Sequence, residues 1–151
     1  MQSDPSSGFP PATLPPYEEV AVRVLHRGRC HLGEGPAYDA ASDTAWWFDI
    51  LERRLYEARL ATEEVTVHAL PMMASALAVV DDRHQLLVGE DGLYLRDRHE
   101  GHLVLHAALP PSDIPLRSND ARVHPSGTLW FSTMGRHAEA GAGAIHAFHR
   151  R

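Results

Sequence analysis

The sequence predicts an all-β protein made of repeated strand units, because short apolar runs alternate with turns along most of its 151 residues. The runs are rich in β-branched or aromatic residues and are bounded by Asp, Gly and Pro, as strands usually are. No segment shows a sustained helical period. Three residues at equivalent positions, Glu34, Ala76 and Asn119, are separated by 42 and 43 residues. Such a period, with several strands per unit, is typical of a β-propeller.

The repeat can be followed strand by strand through three units. The predicted strands of the first two units lie at 37–38, 45–50, 55–60, 65–70, 76–80, 85–89, 93–96 and 103–109. Those of the third lie at 121–123, 128–132 and 144–148, and this unit lacks a fourth strand. Since four strands make one propeller blade, residues 18–151 are predicted to form about three blades, which is half of a six-bladed ring.

Large side chains recur in the second strand of a unit and predict how neighbouring blades pack. We expect Trp46, Trp47, Trp130 and Phe131 to fill the space between blades rather than to bind a ligand. The alternating run at 20–25 predicts one further strand, of the kind that completes the last blade of a propeller. Cys30, in or next to that strand, is interpreted as a small packing residue.

Composition narrows the class of protein and its partners. The formal net charge of −6 argues against nucleic acid or an anionic membrane as a partner. The single cysteine excludes an internal disulfide. With neither a long apolar stretch nor a signal peptide, the expected location is cytoplasmic. Residues 1–17, which contain five prolines, are expected to be a disordered leader.

Polar residues occupy the same phase in the first and third units and are candidates for one site. Glu34 lies in the segment Leu-Gly-Glu-Gly-Pro at 32–36, and Asn119 lies in Leu-Arg-Ser-Asn-Asp at 116–120. Because equivalent strands of a propeller begin around one axis, these two side chains are predicted to point into a common central site. The alternatives are that Glu34 is an exposed turn residue and that Asn119 and Asp120 cap a strand.

Two motifs resemble the SMP-30/gluconolactonase/regucalcin-like family. The first is the segment at 32–36 followed by Trp-Trp-Phe-Asp-Ile at 46–50. The second is Arg-Ser-Asn-Asp at 117–120 followed by His-Pro-Ser-Gly-Thr-Leu-Trp-Phe-Ser-Thr-Met-Gly at 124–135. The resemblance covers about residues 20–151, the N-terminal half of a family member. It implies a six-bladed propeller that hydrolyses sugar lactones with one divalent metal ion in the central channel.

The resemblance also implies roles for individual residues. Glu34 matches the metal-binding glutamate, and Arg117 and Asn119 match the residues that bind substrate. An acidic substrate contact is not clearly matched, with His137 and Glu139 both near its place. The remaining metal ligands, an asparagine and an aspartate that is the usual general base, are expected beyond Arg151. The catalytic base is therefore unknown, the ion could be Ca, Zn, Mn, Mg or Fe, and the chain alone is predicted to be inactive.

Two other interpretations remain open, and a third is disfavoured. The chain could belong to a non-catalytic propeller that binds calcium or another ligand. Two copies of it could instead pair into a ring, which would make a second half-propeller the partner. The histidines at 99, 102 and 106 could suggest a metal site, but their spacing is not the helical His-Glu-x-x-His pattern and they fall in a polar loop and outer strand. Departures from the family pattern at Ala121 and Ser132, where glycine is common, are expected to be harmless.

Overall fold

The computed structural model describes residues 21–149, which fold into eleven strands in three antiparallel sheets. Sheet 1 contains β1 (Gly33–Asp39), β2 (Thr44–Asp49), β3 (Arg54–Arg59) and β4 (Glu64–Ala69). Sheet 2 contains β5 (Ala74–Val79), β6 (His84–Gly89), β7 (Gly92–Asp97) and β8 (Leu103–Ala108). Sheet 3 contains β9 (Leu116–Val123), β10 (Leu129–Gly135) and β11 (Ala144–Phe148). The predicted all-β fold and its repeating meander are confirmed.

The turn between the first and second strands of each sheet is held by a side chain at one repeating position. In sheet 1 the Asp39 carboxylate accepts hydrogen bonds from the Ala41 amide and the Ser42 hydroxyl. In sheet 2 Asp81 accepts the amides of residues 83 and 84. In sheet 3 the Nδ1 atom of His124 accepts the amide of residue 126. In each turn a side chain accepts hydrogen bonds from backbone amides that have no partner in the strand ladder, as is common for turn residues.

Two apolar cores lie between the sheets, and we call them the first interface (sheets 1 and 2) and the second interface (sheets 2 and 3). The first is the larger and includes the buried side chains of Trp46, Phe48 and Leu87. The second includes Leu86, Val88, Leu129 and Phe131. Successive residues of β6 therefore face opposite sheets, as strand geometry requires. The stacking of three meanders through both faces of the middle sheet is the packing of propeller blades.

Two of the four large side chains expected between blades do not lie in either described interface. Trp46 and Phe131 are buried as predicted, but the side chain of Trp130 is 48% exposed. It lies on the face of sheet 3 directed away from sheet 2, and no described residue covers that face. Trp47 does not enter the core either. It stacks on Tyr56 at a ring distance of 5.2 Å, on the outer face of sheet 1.

The strand predicted at 20–25 is also absent from the described part of the chain. Residues 21–32 form no strand before β1, and Val22 is fully exposed. A strand needs hydrogen-bonding partners, and no described sheet edge pairs with this segment. Instead His26 packs on the rings of Trp47 and Tyr56, at 5.8 and 5.5 Å. Val20 and the leader predicted at 1–17 lie outside the described residues.

None of the described residues forms a helix that is long and apolar enough to cross a membrane.

Candidate functional site

The first strands of the three sheets lie side by side, and each has a β-bulge at an equivalent position of the repeat. Residues of β5 contact both β1 and β9, and residues of β1 also approach β9. In sheet 1 the pairing register shifts between Glu34 and Ala37, and in sheet 2 it shifts at Ala74 to Ala76. In sheet 3 the corresponding shift takes in Asn119 and Asp120. Bulges re-aim side chains and are frequent at functional sites, so this shared position marks the candidate site.

Glu34 lies beside the bulge of β1, where it is half-buried. The bulge depends on Gly35, which has a φ of 59° and where an added Cβ would stand 1.9 Å from the carbonyl oxygen of Ser75. Only glycine fits so close to the neighbouring strand. Within residues 21–149 the Glu34 carboxylate has no hydrogen bond or ion pair. The predicted site residue is thus held by a rigid backbone while its carboxylate stays available for a ligand.

The segment that leads to Glu34 is fixed by a buried carboxylate at the end of β2. Asp49 is 1% exposed and accepts hydrogen bonds from the amides of His31 at 2.8 Å and Leu32 at 3.1 Å. Burial opposes ionisation of this group, but the amide hydrogen bonds outweigh it, so the pKa of Asp49 is lowered. Asp49 thereby positions the start of β1. The sequence placed it in a motif without assigning it this role.

Arg117 and Asn119, which the family resemblance predicts to bind substrate, are in direct contact. The Nη1 atom of Arg117 donates to the Oδ1 atom of Asn119 at 3.3 Å and to the carbonyl of Ser118 at 3.0 Å. With Oδ1 engaged, the side-chain nitrogen of Asn119 is left as a donor. The remaining guanidinium N–H groups are donors too. The pair is therefore suited to an uncharged or negatively charged oxygen, such as a carbonyl or a hydroxyl.

The bulge beneath this pair is closed by Asp120 and Ser132. Asp120 bonds locally, accepting the amide of Ala121 at 2.8 Å and the guanidinium of Arg122 at 2.7 Å. The hydroxyl of Ser132 accepts the amide of Asp120 at 3.3 Å and lies 3.4 Å from its carbonyl oxygen. Ser132, expected to be merely a harmless substitution, thus replaces ladder hydrogen bonds that the bulge removes.

Two acidic residues near the same ends of the strands were not assigned to the site by the sequence. Glu139 folds back over Gly135, whose missing side chain leaves the space that the carboxylate occupies. Its Oε2 atom accepts the amide of His137 at 3.0 Å, and backbone hydrogen bonds lower the pKa of Glu139. Glu90 accepts the Met73 amide and pairs with Arg136, joining sheets 2 and 3. The sequence left His137 and Glu139 as alternatives for the acidic substrate contact. Of these two, Glu139 is the half-buried residue with an oriented carboxylate.

Metal binding by the described residues alone is incomplete. Among residues 21–149 no three His, Cys, Asp or Glu side chains are grouped so as to hold a metal ion. His102 instead pairs with Glu100 in an exposed loop. The carboxylate of Glu34 fits a divalent cation as one ligand, because hard cations prefer oxygen donors. A full ligand set needs oxygens that the described residues do not bring to this place.

The sequence profile described as SMP-30/Gluconolactonase/LRE-like region matches residues 32–150 of this chain. The chain belongs to this family. The match spans all three sheets and both segments that carry Glu34, Arg117 and Asn119. Together with the three stacked antiparallel meanders, it identifies the fold as part of a β-propeller.

Individual relatives agree with this placement. A proposed sugar lactone lactonase of Rhizobium meliloti strain 1021 is 44% identical over 82% of this chain and 42% of its own length. The L-arabinolactonase of Azospirillum brasilense is 29% identical over 84% of this chain and 42% of its own length. The crystal structure of regucalcin, a calcium-binding protein of Agrobacterium tumefaciens strain C58, matches with 58% identity and a TM-score of 0.80. It covers 84% of this chain and 43% of that protein. The chain spans less than half the length of these relatives.

Proposed function

We propose that this chain contributes one part of the active site of a metal-dependent sugar lactone hydrolase. In this proposal Glu34 is one ligand of a divalent cation, and Arg117 and Asn119 orient the lactone. The observation that carries it is the contact between Arg117 and Asn119 at the bulge of β9. That bulge stands at the same phase as the one that holds Glu34. Relatives named as lactonases support the substrate class.

The chemistry of lactone opening explains why these side chains suit the task. Attack on the ring carbonyl places negative charge on its oxygen, and donors aimed at that oxygen stabilise the transition state. Arg117 and the side-chain nitrogen of Asn119 supply such donors for the carbonyl or for sugar hydroxyls. A bound divalent cation would add Lewis-acid stabilisation and make a bound water more acidic. The general base is not assigned to any described residue.

The proposal is tested by Glu34→Gln in a completed ring, in which this chain is joined to the C-terminal part of the Agrobacterium tumefaciens regucalcin. Removing the carboxylate charge is expected to weaken metal binding at least tenfold and to reduce lactone turnover about a hundredfold, since a bound cation supplies several kcal/mol of transition-state stabilisation that is lost with it. Calorimetric metal titration and a pH-indicator assay with gluconolactone measure the two effects.

Glu52→Gln is the matched control, because its carboxylate is exposed and lies just beyond the end of β2. This variant is expected to keep both metal affinity and turnover. If Glu34→Gln retained the metal affinity and the turnover of the parent ring, the assignment of Glu34 would be wrong.

A second candidate is a propeller that binds calcium without hydrolysing lactones. The regucalcin structure favours it, since that protein is described as calcium-binding and is 58% identical over most of this chain. The two candidates differ in one measurement. Calcium binding by the completed ring without acid release from gluconolactone would support the binding protein, and metal-dependent acid release would support the hydrolase.

A further inference from the structure

A cavity of about 900 Å³ lies in the second interface, at the opposite end of the strands from Glu34. Its walls are apolar and come from sheets 2 and 3, with Leu86, Leu95, Leu129 and Phe148 among them. The turns before β6 and β10 form its rim. Pockets that bind small molecules commonly have volumes of about 300–1,000 Å³. The cavity is therefore large enough for a ligand and separate from the candidate site.

The cavity has a cause that can be read from the repeat. The third residue of β2 is Trp46, which faces sheet 2 and fills the first interface with its indole ring. The third residue of β6, which likewise faces the next sheet, is Leu86. A leucine in place of the larger tryptophan leaves volume unfilled. Protein interiors are otherwise close-packed, so the opening at this position is a specific departure from the packing of the first interface.

The cross-strand pair beside this position is also different in the two interfaces. In the first interface the buried Arg96 donates to Gln85, its cross-strand partner, at 2.9 Å. In the second interface the corresponding pair is Phe148 and Leu129. The polar network of the first interface is thus replaced by an apolar wall. Such a wall favours an apolar body in the cavity.

The acidic group at the rim is already engaged by neighbouring residues. Among the lining residues there is no arginine, and the Asp81 carboxylate accepts the amides of residues 83 and 84. A chain of hydrogen bonds runs instead from His124 to Ser126 at 2.8 Å, on to Thr128 at 3.0 Å and to His149 at 2.9 Å. Hydroxyl groups can donate and accept. No unpaired charge at the rim selects an ionised ligand.

We propose that this cavity binds an uncharged small molecule with an aromatic or other ring-shaped apolar body and one hydrogen-bonding group. The apolar body lies between Leu86 and Phe148. The polar group lies against the hydroxyls of Ser126 and Thr128. This site differs from the proposed lactone site in place and in chemistry, because a sugar lactone is polar throughout.

The neutral fluorescent probe N-phenyl-1-naphthylamine tests the proposal with the 151-residue chain. Saturable binding with one probe per chain is expected from the rise in probe fluorescence. Leu86→Trp places at this position the residue found at 46, and it is expected to weaken binding at least tenfold by filling the cavity. Val67→Trp adds a tryptophan on the exposed strand β4 and should leave probe affinity unchanged.

Val123→Glu provides an independent variant, because Val123 lines the cavity and is 54% exposed, so a charge there does not disturb the core. It is also expected to weaken binding at least tenfold, and it decides the matter if Leu86→Trp does not keep the parent circular dichroism spectrum. Absence of saturable binding to the parent chain would overturn the proposal. So would parent-like affinity in Val123→Glu, or displacement of the probe by gluconolactone.

Discussion

The two interfaces between sheets use the same backbone repeat but are filled in different ways. The first is filled by Trp46 and by a buried arginine, Arg96, which is 1% exposed. Arg98 lies over the ring of Trp46, with its guanidinium 5.0 Å from the ring centroid. The second interface has leucine and phenylalanine at the corresponding positions and leaves a cavity. One interface is closed and partly polar, while the other is apolar and open.

This difference separates what the repeat determines from what individual residues determine. Strand pairing and stacking follow from turns and alternation, which both interfaces share. Whether the space between two sheets is filled depends on one or two side chains that face the next sheet. Cavities and close packing can therefore occur side by side in one propeller. A repeat of this kind can carry a ligand pocket at one interface without changing the fold.

The largest expected effect comes from giving the first interface the residue of the second. Trp46→Leu should lower the free energy of unfolding by about 3 kcal/mol, because it removes buried ring area and leaves a cavity. Trp130→Leu is the matched control at the equivalent position of sheet 3. With its side chain 48% exposed, it should change stability by less than about 0.5 kcal/mol. Urea unfolding measures both, and equal losses would contradict the comparison.

The polar character of the first interface is tested by Arg96→Met. The variant removes the donor to Gln85 and should cost about 2 kcal/mol, because a buried amide is left without its partner. Adding Gln85→Leu replaces the other member of the pair and should recover most of that loss. Denaturant unfolding of the single and double variants gives the two values. A double variant less stable than Arg96→Met would contradict this explanation, because it would show that Gln85 stabilises the fold even without Arg96.

The smallest expected effect is a pH dependence that belongs to the first interface alone. The hydrogen bond from His68, at 3.3 Å, lowers the pKa of Glu57, which faces sheet 2. A lowered folded pKa stabilises the protein above the unfolded value of about 4.3, and that stability is lost as the pH falls through the folded pKa. Glu57→Gln should therefore cost about 1 kcal/mol at pH 6.

The cost of Glu57→Gln should begin to shrink below the unfolded pKa of about 4.3 and continue to shrink as the pH falls through the lower folded pKa, where the parent carboxylate becomes protonated too. Thermal unfolding between pH 3 and pH 6 follows this change. Glu64→Gln, at an exposed position of β4, serves as the control and should show no such trend. A cost for Glu57→Gln that stays constant over this range would exclude the ionised carboxylate as its source.

Much of the fold could be predicted because its signals are local. Turn residues such as Asp39 and Asp81 mark the repeat, and alternation marks the strands between them. The first strand of each sheet begins earlier than predicted. In β1 the sequence Gly33 to Pro36 is typical of a turn, but in the structure it forms a bulge within the strand. Residues 21–25 of the strand predicted at 20–25 do not form a strand here, because alternation alone does not reveal whether a partner strand is present.

The candidate-site residues that occupy equivalent positions of the repeat could be predicted from the sequence. Those that depend on contacts between loops or sheets could not. Glu34 and Asn119 were found from the 42 and 43 residue spacings. The carboxylate of Glu139 could not be placed, because its position follows from a loop that folds over Gly135. The burial of Arg96 and the cavity beside Leu86 depend on which residues meet across an interface. The spacing of residues in the sequence does not specify those contacts.

Lactone turnover by the completed ring, measured beside the 151-residue chain alone, tests the central claim most directly. We expect the completed ring to release acid from gluconolactone only when a divalent cation is present, and we expect the chain alone to release none. This result would follow from Glu34 being one ligand among several. Turnover by the chain alone at the rate of the completed ring, or a folded, metal-loaded ring without turnover, would contradict it.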